Sequence, residues 1–189
     1  MRVIFAFLFS IVSLKTIGQY RFEPLVENEI INLNGGFNAS FGGKSRTVLP
    51  FKIPTDCFGV VYTMTAVNPS KPIQSNFGLV AGLITVAGTG NMTLGSAVSK
   101  IEIPAGNQSA DLFLLPSQQD AILFETKKDG QWKHIFNVCK ENRSSCSVLL
   151  GGNGEFRTTE EHTMYLGLRN PSTLNPVTIT INISLIFEQ

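Results

Sequence analysis

The side chains able to do chemistry in this chain are few and far apart. His134 and His162 are its only histidines, its cysteines are Cys57, Cys139 and Cys146, and the carboxylates available for chemistry include Asp111, Asp120, Asp129, Glu155, Glu160 and Glu161. A zinc site takes three or four His, Cys or carboxylate ligands with some local pairing. Glu160-Glu161-His162 is neither a HExxH helix nor a spaced pair on one strand face, and reads as a solvated turn before Thr163. No Asp-x-Asp-x-Asp ladder is present for calcium. GxSxG is absent, and no cysteine stands in a protease setting. Gly42-Gly43-Lys44-Ser45 looks like the end of a phosphate-binding loop, but the glycine that motif requires further upstream is Asn38 here. It reads as a Gly-rich surface loop. The expectation is a protein that is not an enzyme, with no metal and no cofactor. A polysaccharide hydrolase remains an alternative, because its carboxylate pair comes from separate strands and leaves no local signature.

Two binding features are compatible with the same residues. Trp132, the single tryptophan, and Tyr165 would serve as a stacking platform for a sugar. The plainer reading, aromatics packed in a core or hairpin, carries more weight. Cys139 and Cys146 enclose six polar residues, Lys-Glu-Asn-Arg-Ser-Ser, as in a turn between strands. A disulfide across that turn is expected, with pairings through Cys57 as the alternative. Cys57 heads the apolar run Cys-Phe-Gly-Val-Val-Tyr-Thr-Met and is expected to be buried as a small hydrophobe.

Composition excludes several classes. The chain has 189 residues, with 15 basic and 14 acidic among them. There is no basic stripe for nucleic acid. Arg2, the apolar run Val3 to Leu14, and small residues at Thr16 and Gly18 read as a signal peptide over residues 1–18. Secretion or a periplasmic location is therefore expected. That run is too short to span a bilayer, which takes about 20 apolar residues. No later segment is long enough, and cleavage leaves Gln19 rather than a cysteine at the new N-terminus, so neither a membrane span nor a lipid anchor is expected. In a eukaryotic secretory route Asn38, Asn91, Asn107, Asn142 and Asn182 would be glycosylation acceptors.

The elements that must position these groups read as strands. Residues 19–34 form an N-terminal extension whose centre, Glu29 to Leu33, has strand character, and residues 35–189 form one β-sandwich domain. Short runs follow, with Gly, Pro and Asn between them: Arg46–Ile53, Phe58–Ala66, Lys100–Ile103, Ala110–Leu115, Ala121–Glu125, Trp132–Val138, Ser147–Leu150, Glu155–Thr158, Thr163–Arg169 and Val177–Phe187. Pro50 argues for an edge. Residues 77–87 are a short helix or a strand. From Val177 to Phe187 apolar and polar residues alternate, broken only at Ile186, which predicts one face on a core and one in water. The fold class is all-β: a single antiparallel β-sandwich, jelly-roll-like, with at most one short helix near 77–87.

The stretch Phe156, Thr158-Thr159 and Tyr165-Leu166-Gly167-Leu168-Arg169-Asn170-Pro171-Ser172, with the alternating strand after it, resembles the closing hairpin of GOLD-type β-sandwich domains. The likeness covers roughly residues 155–187, and Arg46–Thr65 looks like the paired entry strands of such domains. The segments YLGLRNP, LPFKIP and DLFLLP are also similar to those of uncharacterised secreted proteins of Gram-negative bacteria. The resemblance implies a sandwich and a binding-type role with a protein or glycan partner. It transfers no catalytic residue, and the cargo-receptor role of GOLD proteins with a coiled coil and a membrane span is not carried over. The function expected is an exported, non-enzymatic binding module. An envelope assembly component that pairs through an edge strand is the alternative.

Overall fold

Val177 to Glu188 shows most directly how this chain folds. Its alternating Val, Ile and Leu side chains enter the core, and both of its edges are paired with other strands. The computed structural model describes residues 20–70, 94–101, 103–115, 117–128, 136–151 and 157–188, with backbone alone at 97 and 136–143. Among the described residues there are eight strands: β1 (Tyr20–Leu33), β2 (Arg46–Ile53), β3 (Gly59–Val67), β4 (Ala110–Leu115), β5 (Phe136–Arg143), β6 (Ser145–Gly151), β7 (His162–Arg169) and β8 (Val177–Glu188). Three short helices accompany them: α1 (Gly36–Ala39), α2 (Leu94–Ser99) and α3 (Gln118–Glu125).

The pairing follows one rule. Strand β1 pairs with β8, β2 with β7, β3 with β6 and β4 with β5, all antiparallel. The chain thus doubles back on itself as a single long ribbon. Rolling that ribbon sends alternate rungs to opposite sheets, with strand orders β1-β8-β3-β6 and β2-β7-β4-β5. The ladders β3·β8 and β4·β7 complete the two sheets. This is the jelly-roll arrangement of an all-β sandwich.

Both sheets feed one core. Val60, Tyr62, Met64 and Ala66 of β3 and Ile179, Ile181 and Ile183 of β8 meet Phe51 and Ile53 of β2, Leu112 of β4, and Leu166 and Leu168 of β7. Burial of this kind stabilises by about 25 cal/mol per Å² of apolar surface removed from water. Pro50 sits, as expected, on an edge strand, β2. The segment that reads as an N-terminal extension is strand β1, paired with β8 from Tyr20 to Leu33. Its polarity does not alternate because two register shifts, between Pro24 and Val26 and between Val26 and Glu29, interrupt the ladder. Asn28 takes a positive φ of 50° inside the second of these, a backbone state that asparagine tolerates.

Four expectations need correction. The polar face of β8 is not in water: Thr178, Thr180, Asn182 and Ser184 are all buried. Thr178 donates to Asn32 Oδ1 at 2.7 Å, Asn182 Oδ1 accepts from the Asn28 amide at 2.8 Å, and Ser184 donates to the Glu23 carbonyl at 3.1 Å. Beside this polar row, Phe58, Val61 and Ile186 pack with Leu94, Val98 and Ile101 over the outer face of the same sheet. Burial also closes the Asn182 sequon to glycosylation. Ala121–Glu125 belongs to helix α3, not to a strand. Ser117 caps it by accepting from the Asp120 amide at 3.1 Å, and Ala121 and Phe124, one turn apart, pack onto the second sheet. Within Lys100–Ile103 the described residues Lys100, Ile101 and Ile103 are not in a strand, since α2 runs to Ser99 and Ile101 packs beside it. With three described helices, the limit of one does not hold. Residues 77–87 lie outside the described residues.

Cys57 is a free, fully buried thiol. Thr158 Oγ1 accepts from its amide at 3.0 Å and donates to the Pro54 carbonyl at 2.6 Å, while Cys57 Sγ donates to the Gly59 carbonyl at 3.2 Å. Burial pushes this thiol up from its ordinary pKa, so the reactive thiolate is suppressed. Cys146 is disulfide-bonded. Under native conditions at pH 8 a thiol reagent is expected to leave Cys57 unlabelled, and to label one thiol per chain once guanidinium is added without reductant. Rapid native labelling would mean that the strand end around Cys57 opens readily. Peptide mapping of the same sample identifies the partner of Cys146.

Candidate functional site

Two loops at one end of the sandwich are joined by backbone hydrogen bonds. The β1–β2 connection carries α1, and the β7–β8 turn lies against it. Gly36 and Phe37 donate to the carbonyls of Ser172 and Thr173 at 3.0 and 2.8 Å, and Asn170 donates to the Ser45 carbonyl at 2.9 Å. Gly35 permits this approach, since a Cβ there would stand 2.6 Å from the carbonyl carbon of Leu174. Asn170, itself buried, holds the turn from within. Its Nδ2 donates to the Asn175 carbonyl at 2.8 Å, and its Oδ1 accepts from the Ser172 amide at 2.9 Å.

The joined loops form one wall of a cleft of about 480 Å³, lined by Gly36, Ser45, Arg46, Lys127, Arg169 and the turn 170–173. A smaller hollow of about 210 Å³, lined by Gly43, Lys44 and Glu125 among others, shares Ser45, Arg46 and Lys127 with it. Helix α3 supplies the other wall. It crosses the outer face of the second sheet, with Phe124 seated over Gly167, where any Cβ would come within 3.0 Å of the ring. The helix ends at Glu125, and Lys127, just past the Thr126 cap, has a φ of 59°.

Four cations gather here. Arg169 is fixed from below, its Nε and Nη2 donating to Asp111 Oδ2 at 2.8 and 2.6 Å, with the guanidinium 5.1 Å from the centre of the Phe113 ring. Arg46 lies 5.4 Å from the Phe124 ring centre, and its Nη1 donates to the Phe124 carbonyl at 3.4 Å. Stacking on aromatic rings orders both guanidinium groups before any ligand arrives. Lys44 and Lys127 are exposed and make no ion pair among the described residues. The nearby carboxylates are engaged: Asp111 behind Arg169, and Glu125, which accepts from the Val48 amide at 3.2 Å. Chemically, this arrangement presents N–H donors and positive charge.

The residues singled out in the sequence fall elsewhere. Tyr165 is half-buried and packs with Phe113, Leu115 and Phe124 beneath α3. Trp132 and His134 lie outside the described residues. The backbone of Cys139 is in β5 opposite Leu112, and Cys146 is in β6 opposite Met64; of the Cys139 side chain nothing is described. His162 is exposed, and Glu161 beside it pairs with Lys52 at 2.8 Å. Asp120 belongs to the cap of α3. Among the described residues no three His, Cys, Asp or Glu side chains gather as a metal site. No described helix is long and apolar enough to cross a membrane. Sequence reading passed over the cleft. Of the Gly-rich surface loop, Ser45 lines it together with Arg169, which stands more than a hundred positions away, and Gly43 and Lys44 line the adjoining hollow.

No protein-family model matches this chain, and no curated protein is significantly similar to it. Fold and cleft together define an all-β jelly-roll sandwich with a basic cleft at one end.

Proposed function

We propose that this chain is an exported, non-enzymatic binding module of GOLD-like type, and that its basic cleft holds an anionic group of a partner. The apolar run at 3–14 supports export, and the resemblance over residues 155–187 supports the GOLD-like assignment. One observation carries the binding reading: two stacked, pre-ordered guanidinium groups converge with Lys127 on a single cleft. Charge-assisted hydrogen bonds from ordered donors are the stronger kind and suit carboxylate, sulfate or phosphate. Addition of a partner strand has less support. Two of the four edge strands discourage pairing, β1 being broken by Pro24 and two register shifts and β2 carrying Pro50; β5 and β6 are the other edges.

Dextran sulfate tests the reading, with neutral dextran beside it. Binding to the sulfated polymer alone is expected, and it should weaken as salt rises from 0.05 to 0.3 M. A charge-assisted hydrogen bond is worth about 1.5–3 kcal/mol, so Lys127→Gln should weaken binding by roughly ten- to a hundredfold. Equal affinity of parent and variant would remove the cleft from the account.

A further inference from the structure

Beside the cleft the two joined loops expose three large apolar side chains. Phe41 is 79% exposed, Leu174 68% and Phe37 60%, the three highest values for large hydrophobic residues among those described. The Phe37 and Phe41 rings touch edge to face, with centroids 5.2 Å apart at 65°. Leu174 follows Thr173, whose carbonyl accepts from the Phe37 amide at 2.8 Å, so all three belong to the same joined pair of loops. Folding ordinarily leaves such side chains exposed only singly, and a cluster marks a surface that meets something apolar.

We infer that this end of the sandwich docks on an anionic phospholipid surface, Phe37, Phe41 and Leu174 entering the interface while Lys44, Lys127 and the cleft meet the headgroups. The inference rests on the anion-binding reading of the cleft and names the source of the anion. Interfacial binding grows with buried apolar area and with attraction of basic groups to anionic lipid, and both are present at this end of the sandwich, Lys44 on the β1–β2 loop and Lys127 just after α3. The chain as a whole is close to neutral, so the attraction is local to this end and orients it. A second copy of the chain fits less well, because a two-fold contact through these loops sets Lys44 and Lys127 near their own counterparts. A sugar fits less well too: two rings at 65° offer no flat platform, and Leu174 cannot stack.

The test is vesicle co-sedimentation of the processed chain, since the 3–14 segment would itself partition into lipid. Phosphatidylcholine vesicles are compared with vesicles containing 30% phosphatidylglycerol. The parent should bind the anionic vesicles at least tenfold more tightly than the neutral ones. Phe37→Ser with Phe41→Ser, and separately Lys44→Gln with Lys127→Gln, should each weaken that binding at least tenfold. The phenylalanine variant should keep its dextran sulfate affinity, and the lysine variant should lose it. Unchanged vesicle binding by the phenylalanine variant overturns the inference. So does a parent that binds dextran sulfate but no vesicle, a result that leaves the cleft reading standing. Binding to neither probe removes both. A parent that dimerises in solution through the phenylalanines, without binding vesicles, gives the surface to a second copy instead.

Discussion

Truncating Ile181 to alanine is expected to lower the unfolding free energy by about 2–5 kcal/mol, a large part of the 5–15 kcal/mol typical of a domain. Ile181 is fully buried in the core between the sheets, opposite Met64 on one side and Glu29 on the other. Its neighbours are held by two ladders and cannot collapse into the space left. Thr180, one position earlier, points to the opposite face and is also buried. Its Oγ1 has no hydrogen-bond partner among the described residues. Thr180→Val keeps the shape and removes a buried, unsatisfied hydroxyl, so that variant should match the parent or gain up to about 1 kcal/mol. Urea melts of the two variants and the parent, compared at equal m-values, read the difference. A Thr180→Val midpoint as low as that of Ile181→Ala would mean that the hydroxyl has a partner in solution and that the outer face of β8 is built on polar contacts.

Strands with a repeating pattern and clear boundaries were legible. Arg46–Ile53 and Ala110–Leu115 have the limits that their flanking turns imply, and Val177–Glu188 extends its alternating run by one residue. Misreadings arose where local pattern and tertiary context diverge. Threonine and serine fit a strand face whether that face is wet or covered, so the alternation in β8 fixed which residues face the core and left the other face undecided. In β1 the register shifts destroy the period on which strand reading depends. Helix α3 did carry a local sign that was passed over: Ser117 followed three positions later by Asp120, just before Ala-Ile-Leu-Phe, is a capping pattern. The cleft had no such sign. Its residues come from the β1–β2 connection, the end of α3 and the β7–β8 turn, which only the rolled ribbon brings together. The aromatic candidates missed the exposed patch for a related reason. Tyr165 lies within a strand and is covered by a helix, whereas Phe37 and Phe41 lie in a Gly-rich connection and are exposed.

Replacing Arg169 with methionine is expected to destabilise the domain by about 3 kcal/mol, although the residue lies at the border of the cleft. Asp111, directly opposite it across the β4·β7 ladder, has a side chain only 1% exposed. Both guanidinium hydrogen bonds go to Oδ2, and Oδ1 has no partner among the described residues. Without the arginine a buried carboxylate stands uncompensated, which costs about 3–5 kcal/mol in a fully enclosed pair. The lower end applies because the Arg169 side chain is 28% exposed, and water can relieve part of the penalty. Removing both charges is different. In Asp111→Leu with Arg169→Met the desolvation of two ions disappears along with their attraction, so the double variant should return to within about 1 kcal/mol of the parent. This has a consequence for any binding experiment. A loss of anion affinity in Arg169→Met alone mixes a missing cation with a weakened sheet, whereas the double variant keeps the sheet and isolates the cation. Chemical denaturation of the two single variants, the double variant and the parent gives the coupling energy. A single Arg169→Met variant as stable as the parent would show that Asp111 is solvated or satisfied by another group, and that Arg169 is held in the cleft by Phe113 alone.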